Sequence, residues 1–274
     1  MMPTALLSLP SPSSPVAFEA GPLALSYHGL LVALGLVVGA WLTRRELARR
    51  SYDGILALWA LFLVVPAGLA GARLFHVLTE YERYTERPAS ALRVWDGGLT
   101  IYGAVAGGFI GLLVFCWFCG VGPLAFADAA APGLILAQAI GRWGNYFNQE
   151  LFGLPARLPW AIEIAPQNRP VQYADATTFH PTFAYEALWD VLVCLALLWV
   201  ARRFTRDLRE GDVFLLYVGL YSVGRFLVET LRADRTFVIG ETLPGNLVVS
   251  GVLAAGAALV LYLRRRSRHR PKPK

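Results

Sequence analysis

Residues 141 to 153 of the chain read GRWGNYFNQELFG and follow an apolar run that is long enough to lie in a membrane. The stretch sets Arg142 and Asn145 at the end of that run, with Gln149 and Glu150 just beyond. An arginine near the centre of a bilayer costs roughly 2.5 to 3.5 kcal/mol on insertion scales, so one kept there faces a bundle interior or a water-filled cavity. The stretch therefore predicts a polar site inside a membrane protein.

The composition of the whole chain also indicates a membrane protein. Of its 274 residues, 56% are hydrophobic and only 16% are charged, and the mean hydropathy is +0.49. An ordinary soluble domain is less apolar. The formal charge of +6 comes from basic residues that collect between and after the apolar runs. That arrangement favours membrane lipids as partners and argues against nucleic acid.

The apolar runs predict an all-α integral membrane protein with about seven transmembrane helices in a single transmembrane domain, residues 21–264. The runs lie at 23–42 and 54–72, on either side of the break GVGP at 120–123, from about 180 to the basic stretch at 202, and at 213–231 and 242–263. The first run carries Gly35 and Gly39, a spacing of small residues that lets helices approach closely.

Three segments are predicted to lie outside the spans. Residues 1–20 are rich in Pro and Ser and carry no Lys or Arg, which predicts a disordered extension without the basic start of a signal peptide. Residues 154–179 hold several prolines and charges and no long apolar run, which predicts a small extramembrane head between spans four and five. Residues 265–274 form a basic tail.

The distribution of basic residues predicts the orientation. The segments Arg44–Arg50 and Arg202–Arg209 each hold four basic residues and Arg264–Lys274 holds seven, out of 25 Lys and Arg in the chain. With seven spans all three fall on one side, which the positive-inside rule makes cytoplasmic. We therefore expect the N-terminus, the head and Arg142–Gly153 at the outer side, and the tail in the cytoplasm.

The three cysteines do not predict a redox or metal site. Cys116 and Cys119 have the C-x-x-C spacing, but they lie in an uncharged apolar run, where a thiolate is disfavoured. We interpret them, and Cys194 in another span, as buried small hydrophobes. Because no His, Cys or carboxylate group has metal spacing, we expect neither a metal nor a cofactor.

A second polar stripe lies in the predicted span 213–231. Tyr221, Arg225 and Glu229 are spaced i, i+4, i+8 and Arg232 follows at i+11, so on a helix they share one face. One interpretation is an intramembrane Arg225–Glu229 pair that locks two helices. The other follows from the similar stripe of Arg142, Asn145 and Gln149: two arginine stripes suit a phosphate diester, which the planar guanidinium binds well.

Several motifs in this sequence resemble those of bacterial prolipoprotein diacylglyceryl transferases. GRWGNYFNQELFG has the family's G-R at its start, then G-N, N, E and a final G in this spacing. The resemblance extends along the chain to GAR at 71–73, WDGGL at 95–99, HPTFAYE at 180–186 and YSVGRFLVETLRAD at 221–234. It covers nearly all of the predicted spans in order.

The resemblance implies an enzyme of the bacterial inner membrane with seven helices and an outward-facing head. Its reaction is transfer of the diacylglyceryl group from phosphatidylglycerol to the lipobox cysteine of a prolipoprotein signal peptide, with release of glycerol phosphate. Cationic residues at such a site favour the thiolate, since a free thiol has a pKa of about 8.5, and stabilise the phosphate leaving group. The residues implied in catalysis are Arg142 and Arg225. Those implied in substrate binding are Arg142, Asn145, Glu150, Gly153, Tyr221, Glu229 and Arg73.

The sequence departs from the family at two places. The family often has a histidine, regarded as a catalytic base, where this chain has Tyr102, and a Tyr-Gly-Leu where this chain has His28-Gly29-Leu30. Our hypothesis is that His28 and Tyr102 both act in catalysis and share one cavity. The alternatives are a hydrogen-bonding or packing role for Tyr102, because a phenol of pKa about 10 is a poor base at pH 7, and an interface anchor for His28.

Three alternative functions are weighed against the sequence. A headgroup transferase with a different acceptor would keep the phosphate site and differ in the head. A non-catalytic phospholipid-binding paralogue would have lost its base. A channel or transporter would show an inverted repeat and polar residues at the membrane midplane in both halves, and the sequence shows neither.

Overall fold

A computed structural model describes residues 8–21, 23–85, 87–94, 97–233, 237–239 and 243–267. Outside these lie residues 1–7 of the predicted extension, 268–274 of the predicted tail, and Trp95, Asp96 and Asp234 of the motifs. The described residues form eight α-helices and three short two-stranded antiparallel sheets. The helices are α1 Tyr27–Arg49, α2 Leu56–Thr79, α3 Tyr81–Thr85, α4 Ile101–Cys119, α5 Pro123–Asn148, α6 Thr182–Arg203, α7 Asp212–Glu229 and α8 Gly245–Arg266. The strands are β1 Val16–Ala20, β2 Leu23–Ser26, β3 Ile162–Glu163, β4 Thr178–Phe179, β5 Phe237–Ile239 and β6 Leu243–Pro244.

Five of these helices are long and apolar enough to cross a membrane: α2, α4, α5, α6 and α8. The chain is therefore a mostly helical, multi-pass membrane protein, and the predicted fold class is confirmed. The number of seven spans stays a prediction, because α1 and α7 are not among the five. The predicted break between two of the spans is present: α4 ends at Cys119, and the next residue, Gly120, has a φ of 65°, a left-handed conformation that glycine adopts without strain.

The chain divides into two compact units, and the predicted single domain of residues 21–264 stays a prediction. The first unit comprises Met1–Gly39 and Ala131–Lys274, and the second comprises Ala40–Ala130. In the second unit α2 and α4 pack with their backbones close together. A Cβ on Gly71 would lie 2.8 Å from the Cα of Gly107, so only glycine permits this approach.

Small residues also bring helices together in the first unit. A Cβ on Gly35 of α1 would lie 2.8 Å from the carbonyl oxygen of Ala137 on α5, and one on Gly39 would lie 2.8 Å from that of Gly133. The predicted role of the Gly35–Gly39 spacing is therefore confirmed. Elsewhere in this unit α7 packs against α6 and α8.

Residues 149–181 contain no long helix, and β3 pairs with β4 inside this segment. It is anchored by a small apolar core that it shares with α6 and with the residues after α7. The core consists of Phe152, Ile162, Ile164, Phe179, Phe183 and Ala233. The segment includes the predicted head, residues 154–179. Its place outside the membrane remains a prediction.

The N-terminal segment differs from the predicted disordered extension. Residues 16–20 form β1, which pairs with β2, and Leu9 forms a parallel bridge with Ile162 of β3. The order comes from backbone hydrogen bonds to partners elsewhere in the chain, which a Pro- and Ser-rich composition does not reveal. β2 also takes the first residues of the predicted first span, so that α1 begins only at Tyr27.

Two of the three cysteines are buried, as predicted. The Cys194 thiol donates a hydrogen bond to the carbonyl oxygen of Pro132 at 3.3 Å, and Cys116 is buried in the second unit. The prediction is wrong for Cys119, which is exposed because it ends α4, beyond the packed part of the helix.

Candidate active site

Glu186 on α6 joins the two arginines that the sequence singled out. Its Oε2 lies 2.6 Å from Nε of Arg142 on α5, and its Oε1 lies 2.7 Å from a terminal guanidinium nitrogen of Arg225 on α7. All three side chains are largely buried in the first unit. One anionic group thus holds two guanidinium groups from different helices, so the two predicted polar stripes meet.

A second carboxylate completes the surroundings of Arg225. The other terminal nitrogen of Arg225 lies 2.8 Å from Oε2 of Glu229, one turn further along α7. Arg232, just beyond the end of α7, reaches the same oxygen at 3.9 Å, and Asn246 of α8 donates to the other at 3.3 Å. The Arg225–Glu229 pair of the structural interpretation is therefore present, within one helix, and the link between helices runs through Glu186.

Asp190 and two tyrosines extend this cluster. Asp190 lies one turn after Glu186 on α6, is only 2% exposed and interacts electrostatically with Arg142 and Glu186. Tyr221 accepts a long hydrogen bond of 3.4 Å from Arg142, and the ring of Tyr217 stacks on that of Tyr221. We call the six charged residues the arginine cluster: Arg142, Glu186, Asp190, Arg225, Glu229 and Arg232. With all groups ionised its positive and negative charges balance.

The stretch after α5 makes a tight turn that returns to the cluster. α5 ends at Asn148, and Gln149 and Leu151 then adopt φ values of 51° and 55°. The backbone N–H of Glu150 donates to the carbonyl of the buried Asn145 at 3.0 Å. Residues other than glycine rarely adopt positive φ values. The turn is therefore a strained feature that its surroundings hold in place.

Gly153 ends the turn where no larger residue fits. Its N–H donates to the carbonyl of His180 at 2.9 Å, and it forms an antiparallel bridge with Arg232. A Cβ at this position would lie 2.7 Å from the Cβ of His180 and 2.8 Å from the carbonyl oxygen of Leu231. Packing therefore requires glycine at position 153, independently of any contact with substrate.

His28 lies against the same stretch, at the start of α1. Its ring covers Gly144, where a Cβ would lie within 3.0 Å of the Cα of His28. Its Nδ1 is 4.0 Å from Oε1 of Glu150 and has no hydrogen bond within the described residues. Oε1 of Glu150 also accepts a hydrogen bond from the side chain of Asn148 at 3.0 Å. The imidazole thus lies beside a carboxylate in the first unit.

In the second unit, Arg73 donates its hydrogen bonds to backbone carbonyls. Its guanidinium donates to the oxygens of four residues in the connection between α3 and α4: Ser90, Ala91, Gly97 and Gly98. Since arginine has five N–H donors, this leaves one for another partner. The contacts favour a structural role in shaping this loop. Substrate binding by Arg73 remains a prediction.

Tyr102 lies in the first turn of α4, also in the second unit. Its side chain is 70% exposed and its ring is tilted against that of Phe75, with centroids 6.3 Å apart. His28 belongs to the first unit, so the shared cavity of the two residues stays a prediction.

Comparisons with known proteins connect this geometry to a family. The model of the family described as prolipoprotein diacylglyceryl transferase matches residues 15–263. The chain belongs to this family. Among similar proteins is phosphatidylglycerol–prolipoprotein diacylglyceryl transferase 2 of Streptomyces coelicolor, which is 46% identical over 95% of this chain and 82% of its own length. Phosphatidylglycerol–prolipoprotein diacylglyceryl transferases of Corynebacterium glutamicum and Synechococcus elongatus are 39% and 38% identical over 97% and 91% of this chain, and 87% of each relative.

For this member of the diacylglyceryl transferase family, sequence reasoning missed two residues of the site. Glu186 enters the sequence prediction only as the last residue of the motif HPTFAYE, and Asp190 lies outside every predicted site motif. A signal was available, because both are acidic residues four apart inside an apolar span, the same pattern that singled out Arg225 and Glu229.

Within the described residues, no three His, Cys, Asp or Glu side chains are grouped to hold a metal ion.

Proposed function

We propose that this transferase moves the diacylglyceryl group of phosphatidylglycerol to the cysteine thiol of a prolipoprotein, forming a thioether and releasing glycerol phosphate. This is the first step of lipoprotein maturation. Membership of the family supports the activity. The observation that supports a phosphate site is the convergence of Arg142 and Arg225 on one carboxylate, at 2.6 and 2.7 Å. Two guanidinium groups that can hold one anion can also hold a phosphate diester.

The arginines act on the charge that develops in the reaction. The thiol sulfur bonds to the diacylglycerol carbon as the bond from that carbon to the phosphate oxygen breaks. The phosphate then changes from a diester with one negative charge to a monoester with two. Fixed guanidinium groups in a largely buried site stabilise this added charge, which is often the largest contribution to catalysis. Asn145, Glu150 and Tyr221 orient the headgroup in this proposal, and Glu229 remains as the counter-ion of Arg225.

Glu186 must give way when the phosphate binds. Its carboxylate occupies the contacts that the phosphate needs, and the arginine cluster is already balanced in charge. Phosphatidylglycerol therefore binds by replacing Glu186 between the arginines. Glu229, which lies 2.8 Å from Arg225, and Asp190, which interacts electrostatically with Arg142, keep both arginines paired with acidic groups when Glu186 moves away. Glu186 thus holds both guanidinium groups in position before the lipid arrives.

We assign to His28 the role of accepting the proton of the acceptor thiol. With Nδ1 turned towards Glu150, Nε2 is the nitrogen left to accept that proton, and the carboxylate stabilises the imidazolium that forms. Tyr102 serves as a hydrogen-bond donor, since a phenol accepts protons poorly at neutral pH.

The orientation follows from the basic residues. We place the protein in the bacterial inner membrane with the N-terminus and the head outside and the C-terminus in the cytoplasm, because Arg202–Arg209 and the end of α8 both carry clusters of arginine. A lipobox cysteine that follows an exported signal peptide then meets the enzyme at the outer side.

Reconstitution tests the activity directly. The purified protein in nanodiscs containing phosphatidylglycerol is mixed with a lipobox peptide, and both glycerol phosphate release and peptide mass are measured. We expect release only with the cysteine peptide, together with a mass increase of one diacylglyceryl group. Release without any gain of peptide mass would identify a different acceptor. Lipid binding without release would identify a non-catalytic paralogue.

A further inference from the structure

Residues 8–12 run along the edge of β3 like an added strand. The N–H of Leu9 donates to the carbonyl of Ala161 at 2.9 Å, and the N–H of Glu163 donates to the carbonyl of Leu9 at 2.9 Å. Leu9 and Ile162 thereby form a parallel bridge. This is the geometry in which sheet edges bind extended peptides, where main-chain hydrogen bonds supply the affinity.

The C-terminal end of α5 holds the same segment. The hydroxyl of Tyr146 donates to the carbonyl of Pro10 at 2.7 Å, and the side-chain amide of Gln149 donates to the carbonyl of Pro12 at 3.1 Å. We call the edge of β3 together with Tyr146 and Gln149 the strand site. Two of its residues belong to the stretch 141–153 that also carries Arg142, so the strand site adjoins the candidate active site.

The strand site contacts mainly backbone atoms of its occupant. Leu9 is 44% exposed. Three carbonyl oxygens and one N–H of the segment make the hydrogen bonds described above, and any extended polypeptide supplies these atoms. The hydroxyl of Ser8 adds an exposed bond of 2.7 Å to Glu163. Binding of this kind tolerates many sequences.

There is open space beside the segment. Ser11 lines a cavity of about 530 Å³ whose other walls include Glu163 and Arg169. A second cavity of about 470 Å³ is lined by residues 148–152 and 167–170, and Arg169 borders both. A longer polypeptide than residues 8–12 therefore has room next to the strand site.

We propose that the strand site binds the acceptor polypeptide in an extended conformation, next to the cysteine that is modified, and that residues 8–12 occupy it as an internal competitor. The identity of the acceptor as a prolipoprotein rests on the proposed function, whereas the strand site itself does not. An enzyme that serves acceptors of different sequence needs contacts to main-chain atoms, and the strand site offers them. The acceptor displaces residues 8–12 when it binds.

The test uses two substitutions at one residue. Leu9→Pro removes the N–H that donates to Ala161 and leaves every residue of the strand site in place. Leu9→Ala shortens an exposed side chain and keeps that N–H, so it is the matched control. Since one such hydrogen bond has a net value of about 0.5 to 1.5 kcal/mol, Leu9→Pro is expected to lower KM for a lipobox peptide roughly 3- to 10-fold. The KM for phosphatidylglycerol should not change, the unfolding temperature should fall by no more than about 5 °C, as the loss of one such bond predicts, and Leu9→Ala should match the parent protein.

A binding measurement separates this proposal from the proposed function. A fluorescent lipobox peptide with serine in place of cysteine is titrated into each variant in nanodiscs, where no transfer can occur. Tighter binding to the Leu9→Pro variant supports the strand site even if no variant releases glycerol phosphate. An unchanged or weaker peptide affinity in that variant, with an unfolding temperature within about 5 °C of the parent value, would overturn the proposal. A fall in kcat with no change in either KM would also overturn it, because that result is expected if residues 8–12 only stabilise the fold.

Discussion

The substitution Glu186→Gln removes the negative charge that joins Arg142 and Arg225 and preserves the size of the side chain. Opposite charges about 4 Å apart attract by roughly 4 kcal/mol at an effective dielectric constant of 20, before desolvation is counted. Glu186 makes two such pairs, at 2.6 and 2.7 Å between the nearest atoms. A phosphate that takes its place must first compete with both. After the substitution, three arginines of the cluster face two carboxylates.

We expect the variant to bind phosphatidylglycerol about tenfold more tightly, which corresponds to about 1.4 kcal/mol. This gain is small compared with the Coulomb attraction between Glu186 and the two arginines, because the bound phosphate makes most of the same contacts with the arginines in either protein. The value of kcat should fall about tenfold, since an amide holds the two guanidinium groups less firmly in the geometry that the transition state needs. A tenfold weaker affinity for the lipid would refute the argument that Glu186 competes with phosphate.

The assay varies the mole fraction of phosphatidylglycerol in nanodiscs and follows glycerol phosphate release, which gives KM and kcat separately. Glu80→Gln makes the same chemical change at an exposed site and should leave both constants unchanged. Loss of one partner of a buried pair destabilises proteins by about 3 to 5 kcal/mol, so the unfolding temperature is recorded as well. Glu186→Asp keeps the charge, and its lipid KM should stay within about twofold of the parent value if charge is what matters.

Three further predictions concern single side chains. Arg225→Lys should reduce kcat/KM about 100-fold, because a lysine cannot point at both carboxylate partners or hold a phosphate in two places; activity within twofold of the parent would contradict the assigned role. His28→Gln should lower kcat about 100-fold whereas Tyr102→Phe should cost less than about threefold in the same release assay, and the opposite ranking would assign the proton to Tyr102. Gly153→Ala should destabilise the protein by about 1 to 3 kcal/mol in thermal unfolding, whereas Gly141→Ala, where a Cβ meets no atom within 4 Å, should not; equal effects would remove the packing argument.

Much of the helical architecture could be predicted because it depends on local sequence. Long uncharged runs indicated membrane helices, and the break at Gly120 followed from glycine and proline chemistry in the turn. The helix starts were less accurate. The first helix begins at Tyr27 because the residues before it pair with β1, and strand pairing between separate segments leaves little trace in hydropathy.

The candidate site was predictable in its residue types and only partly in its contacts. Helical spacing placed Arg225 and Glu229 on one face, and they do form an ion pair at 2.8 Å. The same reasoning did not place Glu186 between the arginines, because nothing in the periodicity of α6 says which helices lie beside it. Substrate binding by Arg73 stays a prediction, and its contacts with the carbonyls of a loop some 17 to 25 residues further along the chain leave no local sequence pattern.

The sequence by itself determined that this protein lies in a membrane, that it resembles the diacylglyceryl transferase family, and that arginines in apolar spans mark its polar site. Burial of apolar side chains and the expense of charge in lipid are properties of each segment, so composition and spacing report them. Only the tertiary structure decided that one carboxylate holds both arginines and that residues 8–12 lie along β3. Those contacts join segments far apart in the chain, and their geometry depends on how helices and strands pack together.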